Sequence, residues 1–305
     1  MTEKRQTRGK LRRLRWLPIA LVLVLTPVMI WQHSRYQDFR KGNAQDRQST
    51  FYGANTFHVL WLLELAPGQP LEPSLRRFIA AIEAASGAPI YAGRAAGSTI
   101  ESNQLGTSAW DAVLLAQFPS REAYDAASLE AVRAPFLHSY AQGISRSVAA
   151  NLVLPQILLG ARLFDIVTMK PSIFPLVPDP GVSVDDARSS RIGTLLEALR
   201  ADGADGVVFV NLVKNETPEQ QAGSSGPHPR KMLRAMAEGG YGPLHTGAAV
   251  RIEGDVEFDR VMINYYPSVD FFLSLMTSTF IQETIDSYRP SEMEALPTVP
   301  ILDEL

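Results

Sequence analysis

The sequence predicts an α+β body built from two tandem strand-helix-strand-strand-helix-strand units behind an N-terminal apolar helix. Three observations carry this. The first is an internal repeat. Trp110 to Tyr124 (WDAVLLAQFPSREAY) and Phe258 to Phe272 (FDRVMINYYPSVDFF) share aromatic-Asp, a valine-centred apolar run, aromatic-Pro-Ser, and an aromatic four residues on. The spacing is 148 residues, from 110 to 258, and it holds again from His138-Ser139-Tyr140 to Asp286-Ser287-Tyr288. Upstream, Ala88-Pro89-Ile90-Tyr91-Ala92-Gly93 matches Gly242-Pro243-Leu244-His245-Thr246-Gly247 at a spacing of 154, which fits a longer loop in the first copy. So long a period reads as a duplicated domain, not a solenoid. The second observation is the alternation of strand-like runs and 3.6-period stretches inside each copy. The third is an uncharged run behind a basic N-terminus.

Seven basic side chains and one acid fall in residues 1–15, so the formal net charge of −3 leaves −9 on the remainder. An acidic body lacks the positive footprint that a nucleic-acid partner needs. With no cysteine, disulfides, thiolate metal sites and a thiol nucleophile are excluded. A length of 305 residues leaves room for more than one buried core.

Trp16 to Trp31 (WLPIALVLVLTPVMIW) carries no charge. As helix it spans roughly 24 Å, against ~30 Å of hydrocarbon. Tryptophan at both ends suits an interfacial belt, and the preceding cations predict a cytoplasmic N-terminus. Gln32-His33-Ser34-Arg35-Tyr36 offers no signal-peptidase site. The expectation is an uncleaved signal anchor: a single transmembrane helix in the inner membrane with the body in the periplasm or outside the cell. Residues 1–34 are then basic tail and anchor, and 35–54 a polar tether.

The first unit covers 55–157. Phe57 to Leu65 is a buried strand ended by Pro67-Gly68. Leu75, Phe78, Ile79 and Ile82 mark one face of a helix. Ile90 to Ala95 and Trp110 to Phe118 are strands two and three. Ser120 caps the next helix, which is expected to carry His138 near its end. Val148 to Pro155 is the fourth strand. A linker, 158–204, contains an apolar stretch to Val177 and an amphipathic helix over 185–203. The second unit, 205–305, has strands at Val207–Val213, Leu244–Ile252, Phe258–Tyr266 and Thr298–Leu302, and helices at Pro229–Glu238 and from Ser268 towards Tyr288. Pro297 and Pro300 suit only an edge strand. This order is the split βαβ, ferredoxin-like motif. The third strand of copy one is apolar on both faces: Ala112, Leu114 and Ala116 on one, Val113 and Leu115 on the other. Something besides its own helices must cover it. The economical answer is the other copy, the two sheets packing face to face into a closed, barrel-like body with helices outside.

Through the repeated unit, with Phe118-Pro119-Ser120 and Tyr266-Pro267-Ser268 before the second helix, the chain resembles the dimeric α+β barrel superfamily, closest to a branch of unassigned function, over about residues 56–157 and 205–302. The resemblance implies two ferredoxin-like units paired as a pseudo-dimeric α+β barrel. That superfamily includes cofactor-free monooxygenases, isomerases, cyclases and haem-dependent chlorite dismutases. No residue set here matches the catalytic pattern of any of them.

Candidate site residues come from the differences between copies. Arg260, Met262 and Asn264 stand where copy one has Ala112, Leu114 and Ala116. If that face looks into the barrel, Arg260 would pair an anionic or carbonyl group and Asn264 orient it. His245 replaces Tyr91. Tyr140 and Tyr288 hold equivalent positions, with His138 beside the first. Each of these residues also has a plain packing reading. No two histidines show zinc-ligand spacing, so neither metal nor cofactor is expected. Gly-x-Gly-x-x-Gly after a strand, a phosphate-binding loop and a nucleophile elbow are all missing. Two functions remain. One is a membrane-anchored module binding a small apolar or carbonyl-bearing ligand or a membrane partner, with no catalysis. The alternative is a cofactor-free enzyme, isomerase- or monooxygenase-like, on a hydrophobic or aromatic substrate.

Overall fold

The computed structural model describes residues 17–44, 56–96, 110–145, 148–181, 199, 206–214, 227–254, 257–285 and 292–305. Copy one contributes β1 (Phe57–Leu65), α2 (Leu71–Ala84), β2 (Ala88–Ala95), β3 (Ala112–Phe118), the short helices α3 (Arg121–Asp125) and α4 (Glu130–Arg133), and β4 (Phe136–Ser145). Copy two contributes β5 (Val207–Lys214), α6 (Pro227–Gly239), β6 (Gly242–Glu253), β7 (Arg260–Tyr266), α7 (Val269–Met276), α8 (Thr279–Ile285) and β8 (Glu292–Pro300). Helix α1 (Leu17–Ala44) precedes the body, and α5 (Val148–Val167) lies between the copies.

The strands close into one antiparallel barrel in the order β1-β3-β2-β8-β5-β7-β6-β4. Each copy keeps the 4-1-3-2 order of its motif. The copies join edge to edge through two seams, β4 with β6 and β2 with β8. Closure removes every exposed strand edge. It also explains the two-sided apolar third strand. Val113 and Leu115 face the barrel interior with Leu60, Leu62, Val210, Val261 and Ile263. Ala112, Leu114 and Ala116 face outward, under α2 and the aromatic group around Trp61 and Phe78. Trp61 lies 5.2 Å from Phe78, ring to ring, a contact worth about 1 kcal/mol beyond its buried area.

Both aromatic-Pro-Ser sites behave alike. Ser120 Oγ accepts from Ala123 N at 3.2 Å and Ser268 Oγ from Phe271 N at 3.0 Å. Each cap stabilises its helix by about 1 kcal/mol.

Several expectations need correction. The fourth strand of copy one is Phe136–Ser145, so His138 lies on a strand. Val148–Pro155, expected as that strand, begins α5 instead. Pro155 is tolerated there inside a helix that has neighbours to pack on. Strand β8 starts at Glu292 and sits between β5 and β2, not at an edge. Pro297 brings no N–H to the ladder, but its carbonyl accepts from Ala96 N at 3.0 Å. The segment after Ser268 breaks into α7 and α8, with Ser278 Oγ accepting from Ile281 N at the join. Of the expected helix over 185–203, only Leu199 is described, and it is buried beside Phe209 and Phe272.

The transmembrane helix is the largest correction. Helix α1 forms, but among the described residues no helix is long and apolar enough to cross a membrane. The apolar run ends at Trp31, and Arg35, Asp38, Arg40 and Lys41 follow it. Trp16 lies outside the described residues.

Candidate functional site

A pocket of about 260 Å³ opens at one end of the barrel. Its floor is Leu244 and Tyr265, both also part of the barrel-interior cluster. Its walls are Leu158, Leu159 and Arg162 of α5, Met236 and Ala237 of α6, and Gln32 and Arg35 of α1. Gly240, Tyr241 and Gly242 complete it.

Local sequence explains the opening. Gly240 ends α6 at φ +66° and Gly242 starts β6 at φ +141°. Side chains rarely adopt such angles, so glycine permits this tight helix-to-strand turn. At the equivalent turn of copy one, Gly87 stands where copy two has Tyr241. A Cβ on Gly87 would lie 2.7 Å from Ile82 Cγ2 and 2.9 Å from Phe118, so that end of copy one is closed.

The helices around the pocket are pinned. Arg234 Nε pairs Asp165 Oδ2 at 2.8 Å, joining α6 to α5. Glu238 accepts from the amide of Ile173 at 3.1 Å and from the Ser172 hydroxyl, strapping residues 172–174 across α6. Gln156 Nε2 donates to Met29 O at 3.1 Å and holds α1 on α5. Arg35 sits 5.5 Å from the centre of the Trp31 ring. Neither Arg35 nor Arg162 forms an ion pair among the described residues. Asp165, the acid nearest Arg162 in sequence, is engaged by Arg234 and Lys170. The Tyr241 hydroxyl is buried without a hydrogen-bond partner among the described residues. Burial pushes its pKa well up, and Tyr266 adds to the rise. Burial also pushes Tyr265 up to about 12. Both phenols are therefore neutral donors at ordinary pH.

The residues singled out in the sequence do not converge here. Arg260 is exposed, and Met262 and Asn264 are half-buried, all on the outer face of β7; Val261, Ile263 and Tyr265 face the interior. The conditional expectation that Arg260 and Asn264 look into the barrel is thus corrected. His138 is exposed on β4. Tyr288 lies outside the described residues. Strand register pairs Tyr140 with Leu62 and, in copy two, Glu294 with Leu212, so Glu294 holds the place of Tyr140.

His245 and Tyr91 do hold equivalent places, one at each seam. Tyr91 Oη lies 2.7 Å from Thr298 Oγ1, and Thr298 Oγ1 donates to Val208 O at 2.8 Å. The Thr298 proton being used, Tyr91 is the donor. At the other seam the rings of His245 and His58 lie 4.7 Å apart, both buried. His58 Nε2 is 3.3 Å from Gln117 Oε1, which places a proton on Nε2. Tyr140 Oη donates to Gln142 Oε1 at 2.8 Å, and Gln142 Nε2 to Phe258 O at 3.2 Å. Burial raises the pKa of Tyr140, Arg251 opposes the rise, and Glu294 and Glu257 add to it. The sequence reading missed the pocket. Its one legible signal was Gly239-Gly240-Tyr241-Gly242, which reads first as a helix stop.

No family model matches the chain, and no curated protein matches it. Among solved structures it is similar to a candidate monooxygenase from Lactobacillus acidophilus NCFM, at 12% identity and a TM-score of 0.40 over 81% of this chain and 94% of that one. It is also similar to a mutant chlorite dismutase from Candidatus Nitrospira defluvii, at 8% identity and a TM-score of 0.44 over 84% of this chain and 95% of that one. Similarity at this level says nothing about chemistry.

Proposed function

We propose that the protein is a membrane-associated module that binds a small, largely apolar ligand at the mouth of the barrel, without catalysing a reaction on it. The observation behind this is the pocket itself: leucine and methionine walls with a few polar groups at the rim, the composition of a binding cleft. Its hydroxyls are neutral, and no carboxylate or imidazole lines it. General acid-base work would need a group of suitable pKa within reach of the ligand. The uncharged run ending at Trp31 holds the body at the bilayer.

The binding test is direct. An apolar fluorescent probe is expected to bind the full chain and to be displaced by small apolar ligands, and Leu159→Glu is expected to abolish this. Unchanged binding by Leu159→Glu moves the site elsewhere. The second reading, a cofactor-free enzyme, rests on the buried His58–His245 pair. It requires a ligand to reach those rings. Loss of binding in His245→Gln with retained folding would favour it.

A further inference from the structure

The groups around the pocket say more about the ligand than its size does. Arg35 and Arg162 come from different helices and both line the pocket. Among the described side chains, the acids near them are committed elsewhere: Asp165 to Arg234 and Lys170, and Glu238 to the strap at residues 172–174. Two guanidiniums over an apolar floor fit an oxyanion above a hydrocarbon chain. Tyr241 adds a lining phenol whose buried hydroxyl has no partner among the described residues.

Volume limits how much of such a molecule is enclosed. Sites that enclose a drug-sized ligand run to about 300–1,000 Å³, and this pocket has about 260 Å³. It takes a head and a short stretch of chain. The rest must leave, and α1 forms one wall. Val28, Met29, Ile30 and Trp31 of α1 are all exposed, Ile30 to 64%. An acyl chain in water along that stretch would be unfavourable, but in a bilayer it costs nothing. Trp31 with Arg35 over its ring marks the end of the apolar run, the arrangement expected at headgroup depth.

We propose that the pocket holds the oxyanion head, carboxylate or phosphate, of a membrane-borne amphiphile, with Arg35 and Arg162 on the head and the chain passing along α1 into the bilayer. This rests on the binding-module reading, and it makes α1 part of the site rather than only a tether. Amphiphile and anchor then share one surface, and the ligand is held without being extracted.

The test uses the full chain in phosphatidylcholine nanodiscs, titrated calorimetrically with decanoate, decyl phosphate, decanol and inorganic phosphate. Decanoate and decyl phosphate are expected to bind, decanol at least about tenfold more weakly, and inorganic phosphate not at all. Arg35→Gln/Arg162→Gln is expected to weaken both anionic amphiphiles by at least about tenfold and leave decanol unchanged. Both side chains are exposed, so the melting temperature stays where it was. Adding phosphatidylglycerol to the discs separates the two sources of the head. Competition with decanoate identifies a bilayer lipid, and its absence a free amphiphile. Decanol binding as tightly as decanoate, or a double variant with undiminished affinity, overturns the proposal but leaves the binding module standing. Inorganic phosphate binding as tightly as decyl phosphate makes this a free-anion site and also overturns it. Failure of every probe removes the binding module as well.

Discussion

Leu114 and Met262 hold the same place in the two copies, on the outer face of the third strand. Leu114 is completely buried, and Met262 is only half-buried. The inner faces of the two strands, Val113 and Leu115 against Val261 and Ile263, are buried alike. Duplication has thus kept the shared interior and let the exteriors diverge. Copy one covers its outer face with α2, the ring group Trp61, Phe78, Phe118 and Tyr124, and the chain end at Ile301 and Leu302. Copy two uses an aromatic cluster, with Phe209 stacked on Phe272 at 4.4 Å and Tyr241 on Tyr266 at 5.4 Å, and straps Phe174 against Phe271. The pocket over Leu244 and Tyr265 lies at the looser copy.

The strongest test of this contrast compares equivalent substitutions. Leu114→Asp buries an unpaired carboxylate and is expected to cost more than about 4 kcal/mol, enough to unfold the body. Ile263→Asp, on the interior, is expected to do the same. Met262→Asp has water on one side and should cost about 1 kcal/mol or less. Equal loss at Leu114 and Met262 in denaturant titrations would show that the outer faces are equally packed.

Next comes the turn. Gly87→Ala forces a Cβ against Ile82 and Phe118 and is expected to cost about 1–3 kcal/mol by overpacking. A variant of wild-type stability would mean that the Gly87 turn has room to relax towards the open form of its copy-two counterpart.

Much of this was legible beforehand. The repeat, the Ser120 cap and the two-sided burial of the third strand followed from residue pattern alone; a closed barrel was expected, but from sheets packed face to face rather than joined at their edges. The fourth strand of copy one did not. Val148–Pro155 is apolar and short, and periodicity cannot separate a buried strand from the start of a helix in such a run. The match of Tyr140 to Tyr288 misled because the copies differ in loop length, so strand register, not constant spacing, decides equivalence. The pocket was illegible because its walls come from α1, α5 and copy two together, and sequence does not say which distant helices meet. The inward placing of Arg260 failed for a simpler reason: alternation tells which residues share a face, not which face is inside.

A smaller effect appears at high pH. Burial lifts Tyr265 from 10 to about 12 in the folded protein. An acid with a raised folded pKa loses its proton first in the unfolded chain, so stability is full below pH 10 and falls as pH rises towards 12. Tyr265→Phe should flatten this fall by about 2 kcal/mol over that window. An unchanged slope would show that Tyr265 meets water in the folded state. That outcome would sharpen the contrast, since its copy-one counterpart Gln117 is tied to His58.

The smallest effect is expected at the residues that differ most in sequence. Arg260 and Asn264 replace Ala112 and Ala116, yet they project from the outer face of β7, where Arg260 is exposed. Arg260→Ala/Asn264→Ala restores the copy-one residues. Because the pair neither fills the barrel nor lines the pocket, the double variant should stay within about 0.5 kcal/mol of wild type. It should also bind any pocket ligand with unchanged affinity. Strong destabilisation would mean that the two side chains form a structural polar pair on β7. Loss of binding without destabilisation would place the site on the outer face of copy two, and the divergence at Arg260 and Asn264, rather than the Gly240–Gly242 turn, would then mark where the second copy acquired its ligand.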